Sequence, residues 1–179
     1  MARRPLTGVL LVGGASERFG SPKALAFAGG ETLAERGWRT LGTACDERLA
    51  VGKRGELELP FDVIDDGVDI RAPIAGVVAG LRVASHDVCV FLPVDCLNVT
   101  PDVLRMLGAA CRDAAVTLEG PLPGAWAKSA LPVLRRRLGE GRLGLVHAYG
   151  HLDVAEVTID PALLADADTP EELADLLAR

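Results

Sequence analysis

Short, nearly continuous apolar runs closed by glycine or proline alternate along this chain with longer stretches in which apolar residues return every third or fourth position. The run from Val9 to Val12 stops at Gly13-Gly14, Arg48 to Val51 stops at Gly52, and Val88 to Leu92 stops at Pro93. Phe61 to Ile64, Ala114 to Thr117, Ala125 to Ala127 and Val154 to Val157 are shorter runs of the same kind. Such runs, bounded by turn residues, predict buried strands. Helical spacing is carried by Leu33, Gly37, Leu41 and Ala44 after Thr32, and by Ile74 to Ala84. It returns in Val103, Leu104, Leu107, Ala110 and Cys111, then from Ser129 to Leu138, and again after Thr169. Pro73, Pro101 and Pro170 suit the first turn of a helix, where the missing N–H costs nothing. Thr100 and Thr169 suit N-caps, and Glu172 completes a capping box with Thr169. Ala24 to Phe27 reads as a short extended piece turning at Gly29-Gly30, and Pro121-Leu-Pro-Gly124 as a stiff connection into a strand at Ala125. Arg135 to Arg137 read as a solvated helix face. Strands alternating with helices, without repeats, predict βαβ units and a mainly parallel sheet in one domain spanning 1–179.

Composition narrows the function more than the fold. The chain is 49% apolar but only 4% aromatic, so its core is aliphatic. A net charge of −6 argues against a nucleic-acid or anionic-membrane surface, whose footprint is basic. No run reaches the length of a membrane span. Arg3-Arg4 resembles the start of an export signal, but the apolar run behind it ends at Gly13 and is better read as a strand. Cys45, Cys89, Cys96 and Cys111 form no C-x-x-C and have no patterned histidines, which predicts reduced, mostly buried thiols in a cytoplasmic protein. No serine or cysteine sits in a G-x-S-x-G elbow, so covalent hydrolase chemistry has no support.

Candidate chemistry gathers at predicted strand ends. Gly13 and Gly14 let the backbone turn and bring its N–H groups to a ligand, while Arg18 and Lys23 follow within ten residues. The spacing is neither the P-loop nor the dinucleotide fingerprint. The same residues therefore suit either a polyphosphate-binding loop or a plain strand-to-helix turn with solvated charges. Asp95 lies just past the strongest strand and suits either a metal ligand at a crevice or an Asx turn. Asp166 and Asp168 suit helix capping, or a second carboxylate brought to that crevice. Gly76 and Gly80, four apart, suit close packing on a sheet more simply than ligand contact.

Taken in order, these segments resemble a known family. Leu11-Val-Gly-Gly-Ala-Ser-Glu-Arg-Phe-Gly-Ser-Pro-Lys-Ala-Leu25 is similar to the L-A-G-G-x-S-x-R-M-G-x-x-K-x-L signature of nucleotidyltransferases, and the nearest branch is the molybdenum cofactor guanylyltransferase (MobA-like) family. Ala72-Pro-Ile-Ala-Gly76 parallels its G-P-L-A-G, Leu92-Pro-Val-Asp95 its strand-end aspartate, and Asp166-Ala-Asp168-Thr-Pro-Glu-Glu-Leu173 its N-x-N-T-P-E-D-L close. The resemblance implies a Rossmann-like three-layer α/β/α fold with a mainly parallel, mixed-edge sheet. It also implies a Mg²⁺-dependent transfer of GMP from GTP to a molybdopterin-type acceptor, with pyrophosphate released. By the same resemblance Leu11, Val12, Gly13 and Gly14 hold the nucleotide, and Arg18 and Lys23 the triphosphate. Asp95 binds the metal, helped by Asp166 or Asp168; Asp66 and Gly76 contact the nucleoside.

Four departures stand out against the family pattern: Val12 for alanine, Ala72 for glycine, Leu97 for proline, and aspartates for both asparagines in the last motif. A sister enzyme using CTP or another small phosphorylated acceptor, and a catalytically weak nucleotide-binding regulator, are the alternatives. The expected partners are the nucleoside triphosphate and the pterin-like acceptor, with a monomer or weak homo-oligomer as the assembly.

Overall fold

The computed structural model describes residues 4–13 and 19–178. Seven strands form one sheet: β1 (Leu6–Leu11), β4 (Glu47–Gly52), β5 (Val63–Asp65), β6 (Val88–Pro93), β7 (Ala114–Thr117), β8 (Gly120–Ala127) and β9 (Val154–Val157), with β2 (Phe27–Ala28) and β3 (Glu31–Thr32) pairing as a separate ribbon. Their spatial order is β5-β4-β1-β6-β8-β7-β9. All neighbours run parallel except around β8, which is antiparallel to both β6 and β7. The expected mainly parallel sheet is therefore present, with its reversed strand inside the sheet rather than at an edge. The chain leaves β1 for β4 and β5 on one side, then crosses to β6 on the other. That places a topological switch point beyond the carboxyl ends of β1, β4 and β6, where open α/β sheets bind ligands.

Alternation along the central strand sets the three layers. In β1, Leu6 and Leu10 face one core and Val9 the other, all almost wholly buried. The first core is covered by α1 (Leu33–Ala44), α3 (Pro101–Ala110), α5 (Pro161–Leu164) and α6 (Pro170–Leu177); the second is covered by α2 (Pro73–Val83) and α4 (Leu131–Gly139). Gly80 of α2 packs where a Cβ would lie 2.8 Å from the Phe91 ring and 3.1 Å from Val9. Gly76 stands likewise 2.7 Å from Leu11. The packing account of these glycines holds.

Helix ends follow the expected signals. Thr100 and Thr169 accept from the third helical N–H, and Pro73, Pro101 and Pro170 take the first turn. Thr32 also forms a capping box with Glu35, a T-x-x-E signal present in the sequence but unused. Four expectations are corrected. The piece expected to be extended from Ala24 to Phe27 begins as a 3-10 turn, Lys23–Leu25, and pairs as a strand only at Phe27–Ala28. Pro121 to Gly124 is not a connection but the first half of β8, accommodated because a β-bulge-like register shift between Ala115 and Thr117 relaxes the pairing there. The strand expected at Phe61 to Ile64 is Val63–Asp65, because Phe61 leaves the sheet line to stack on Trp38, 4.2 Å between ring centroids. Arg137 is buried while Arg135 and Arg136 are exposed, so the basic run is not a uniform solvated face: at helical spacing Arg137 falls on the stripe of Leu134.

Two polar staples secure the strand ends. Glu47 receives hydrogen bonds from the buried Thr7 hydroxyl (2.5 Å) and from the Ser85 N–H (2.8 Å) and hydroxyl (2.7 Å). Burial alone would raise its carboxyl pKa; those hydrogen bonds outweigh it and hold the group below its ordinary 4.5. Lys53, just after β4, donates to Asp66 Oδ1 (2.6 Å), to the Val68 carbonyl and to the Ile70 carbonyl (3.4 Å), gathering the loop after β5 around one ammonium. Only 12% of the Lys53 side chain and 8% of the Asp66 side chain are exposed, so neither charge is screened by water.

Two outcomes are expected. Glu47→Gln should lower unfolding free energy by about 1 kcal/mol at neutral pH, the scale of a hydrogen bond to a charged acceptor after partial exposure is allowed for. Because the folded pKa is depressed, the wild-type advantage is full above 4.5 and should vanish as pH falls through the folded value; urea melts at several pH values read this directly. Lys53→Met leaves the Asp66 carboxylate buried without its counter-charge, and should cost about 3 kcal/mol in the same melts. Lys53→Met combined with Asp66→Leu should recover part of that loss.

Candidate functional site

A cleft of about 920 Å³ opens at the switch point, and the loops that leave four parallel strands build it. The Val12 N–H donates to the Val51 carbonyl (3.0 Å), the Val94 N–H to Leu11 (3.3 Å) and the Asp66 N–H to Gly52 (3.0 Å). These bonds tie the segments after β1, β4, β5 and β6 to one another. Gly13 and Gly52 touch through their backbones: a Cβ on Gly13 would lie 3.0 Å from Gly52 Cα, and one on Gly52 would lie 2.8 Å from Val12 Cγ2. Glycine is thus needed here for close approach of two chain segments. Val12 is buried, with its methyl filling the space against Gly52, so the larger residue at this position narrows one wall.

Of the residues singled out from sequence, Leu11, Val12, Gly13, Lys23, Asp66, Gly76, Asp95 and Asp168 all line this one cleft. Asp166 is exposed and joins Asp95 and Asp168 in a carboxylate group whose oxygens lie within 4.8 Å of one another. Gly14 and Arg18 lie outside the described residues. The cleft also contains Glu56 and Arg71, which sequence reading passed over; they pair across its mouth at 2.5 Å. Nothing in local spacing marks them, since they are fifteen residues apart in loops without periodicity. Trp126 is fully buried under the second core, and Arg142 pairs with Glu140 on the surface at 3.5 Å, so both serve packing and surface.

Lys23 is set by a short turn. Gly20 takes a positive φ of 74°, Pro22 leads into the 3-10 turn Lys23–Leu25, and the Leu25 N–H closes on the Pro22 carbonyl at 3.0 Å. Ala24 is buried beside it and anchors the turn. The ammonium then reaches Asp95 Oδ2 at 3.0 Å and Asp168 Oδ1 at 2.7 Å, with 12% of its side chain exposed. Burial alone would lower the lysine pKa; the hydrogen bonds and charges of Asp168 and Asp95 outweigh that and hold it above 10.5.

Asp95 sits two residues beyond the end of β6 at Pro93, where the Cys96 N–H bonds the Pro93 carbonyl at 3.2 Å. That turn is closed by main chain. The Asp95 carboxylate bonds Lys23 through one oxygen and receives the Cys96 thiol at 3.9 Å on the other, so it forms no Asx turn. Burial first, and then the neighbouring Asp95 and Asp166 charges, push the Cys96 thiol well up, which keeps it protonated and a donor. In the last motif, Thr169 and Glu172 do the capping, and Glu172 also accepts from the Asp168 N–H at 2.7 Å. The Asp166 and Asp168 carboxylates are thereby left to the crevice rather than consumed by the helix end.

Oxygen-only donors of this kind suit a hard divalent cation such as Mg²⁺, which takes one or two carboxylates and completes its shell with phosphate oxygens and water. The three clustered carboxylates fit that requirement. Among the described residues of the cleft wall, Asp66 is paired by Lys53 and Glu56 by Arg71.

Comparison with known proteins places this architecture. Residues 8–155 match the MobA-like NTP transferase domain. The probable molybdenum cofactor guanylyltransferase of Deinococcus radiodurans is 31% identical over 186 residues, covering 98% of this chain and 95% of that protein. The molybdenum cofactor guanylyltransferase of Desulfosudis oleivorans is 27% identical, covering 94% and 92%. Among solved structures, the molybdopterin-guanine dinucleotide biosynthesis protein A of Archaeoglobus fulgidus superposes with a TM-score of 0.82 at 22% identity, covering 96% of this chain and 97% of that one. The 2-C-methyl-D-erythritol 4-phosphate cytidylyltransferase of Thermus thermophilus shares the fold at TM-score 0.74 and 20% identity, covering 95% and 96%. The chain belongs to the MobA-like NTP transferase family, and is a nucleotidyltransferase.

Proposed function

We propose that this nucleotidyltransferase joins GMP, drawn from GTP, to the terminal phosphate of a molybdopterin-type acceptor, with Mg²⁺ as the metal. The observation that carries the proposal is the meeting of Lys23, Asp95 and Asp168 in the switch-point cleft, in a chain whose relatives are named for that reaction. In this reading Leu11, Val12 and Gly13 present the backbone edge to the nucleotide, with Gly14 and Arg18 continuing the loop. Asp66, held by Lys53, faces the nucleoside beside Gly76. An oxygen of the acceptor phosphate attacks the α-phosphorus in line, the bond from that phosphorus to the bridging oxygen breaks, and pyrophosphate leaves with the electron pair.

Mg²⁺, when bound by Asp95 with Asp166 or Asp168, supplies charge neutralisation at the phosphate oxygens. The residues of the chain contribute position and fixed charge rather than acid–base chemistry. Lys23 and Arg18 neutralise charge growing on the leaving pyrophosphate. The loops tied across β1, β4 and β6 keep attacking and leaving groups in line.

Selective nucleotide binding tests the reading. With Mg²⁺ present, GTP at ten times its Kd should stabilise the protein by about 1.4 kcal/mol, a rise of roughly 3–5 °C in Tm for a chain of this size. CTP, ATP and UTP at the same concentration should give smaller shifts. A shift that favours CTP would assign the sister reaction, and no shift with any nucleotide would remove the transferase proposal. Separately, Asp95→Ala should lower kcat for pyrophosphate release by about 10²–10³, the usual scale for losing one charge-stabilising contact. Its unfolding free energy should move by less than about 1 kcal/mol, since a partly exposed ion pair adds little. A variant that keeps turnover but loses stability would return Asp95 to a structural role.

A further inference from the structure

Two of the three clustered carboxylates, Asp95 and Asp168, hold the ammonium of a side chain. Lys23 Nζ lies 3.0 Å from Asp95 Oδ2 and 2.7 Å from Asp168 Oδ1, on oxygens of the same group that would take the metal. In an octahedral Mg²⁺ shell with bonds of about 2.1 Å, neighbouring oxygens stand about 3 Å apart and opposite ones about 4.2 Å. The oxygens that Asp95, Asp166 and Asp168 offer lie within 4.8 Å of one another, on the scale of such a shell, so an ammonium and a divalent ion would draw on the same group.

Charge explains why the lysine is drawn there. Asp66 is paired by Lys53 and Glu56 by Arg71, whereas Lys23 is shared between Asp95 and Asp168, with the Asp166 carboxylate beside them. A nucleoside triphosphate brings further negative charge into that space. Lys23 therefore has two anionic claimants, the carboxylates and the phosphates, and one ammonium to give. The carboxylates likewise have two cationic claimants, Lys23 and the divalent ion.

We propose that Lys23 is an internal counter-cation that exchanges with the divalent metal: its ammonium holds Asp95 and Asp168 until the metal takes those oxygens, and it then turns to the triphosphate. Metal and nucleotide are coupled through one side chain, because each favours the lysine position that makes room for the other. Without its partner, each meets a site partly closed against it. The ammonium also holds Asp95 and Asp168 together and in place before any ligand arrives, so the cluster does not have to assemble against its own repulsion. This inference rests on the nucleotidyltransferase reading for its second half alone; the competition between ammonium and metal stands independently of what the enzyme transfers.

Titration of nucleotide-free protein with Mn²⁺ as the probe, followed by the electron paramagnetic resonance of the free ion, tests the competition without any turnover. Lys23→Met should bind Mn²⁺ at least tenfold more tightly than wild type, and adding Asp168→Asn to that variant should reverse most of the gain. Equal or weaker binding by Lys23→Met overturns the proposal. Should Lys23→Met fail to fold, wild type suffices, because the chain has only three lysines: Lys23, Lys53 and Lys128. With ¹³C-labelled lysine, the Lys23 ε-methylene resonance, assigned by Lys53→Arg and Lys128→Arg, should shift as Mg²⁺ is added without nucleotide and saturate with it. A Lys23 signal that stays still at saturating Mg²⁺ also overturns the exchange. Failure of the GTP-binding experiment, with tighter Mn²⁺ binding by Lys23→Met intact, would instead remove the assigned reaction and leave the exchange standing.

Discussion

The ion-pair group of Lys23 with Asp95 and Asp168 is the interaction on which the site depends. It joins residues 72 and 145 positions apart, at the ends of a turn, a central strand and the loop before the last helix. Like charges gathered at one strand edge repel, and only a cation among them makes the arrangement stable. The fold solves this locally with an ammonium that is itself held charged by the carboxylates it bridges. Elsewhere in the cleft the same problem is solved by fixed pairs, Lys53 with Asp66 and Arg71 with Glu56. Lys53 is tied to the carbonyls of its neighbouring loop as well as to Asp66, whereas Lys23 bridges two carboxylates of the cluster that suits a metal.

That division follows from the sheet. Reversal of strand order at β1 opens the cleft between the loops after β4 and β6, and the glycines at 13 and 52 let the segments after β1 and β4 close against each other. Each loop is then pinned by a main-chain bond to its neighbour, so side chains at the cleft start from fixed backbone positions. The second core, beneath α2, supports this edge through Gly76 on Leu11 and Gly80 on Phe91 and Val9. A methyl group at Gly80 would meet the Phe91 ring and both Val9 methyls and push the helix off the strands, whereas one at Gly76 would displace the end of the Leu11 side chain at the cleft.

Much of this was legible in the sequence because it is written in local patterns. Buried strands ending in glycine, and helices opening with threonine and proline, show themselves within ten residues, and the ordered motifs around Lys23, Asp95 and Asp168 gave the family. Less legible were features that depend on distant partners. The two prolines of Pro121 to Gly124 argued for a connection, yet β8 keeps them because its partner strand shifts register beside them. Arg137 looked solvated in a run of three arginines, while helix phase turned it inward. Lys53, Glu56 and Arg71 carry no motif, and only folding shows that they complete charge pairs around the cleft. Asp95 and Asp168 each had a sound local explanation, a turn and a cap; main-chain bonds and Thr169 take those tasks instead and leave the carboxylates to each other.

The aspartates at 166 and 168, where the resembling family has asparagines, make this site more negative and its dependence on cations correspondingly greater. The state of the site therefore turns on which cation the carboxylates hold once nucleotide is bound. Crystals grown with Mn²⁺ and a non-hydrolysable GTP analogue would show this through the anomalous signal of manganese. Exchange of Lys23 for the metal requires a manganese peak bonded to Asp95 and a nucleotide phosphate oxygen, with Lys23 turned onto the phosphates. Manganese held by phosphates alone, with Lys23 still on Asp95 and Asp168, would contradict it.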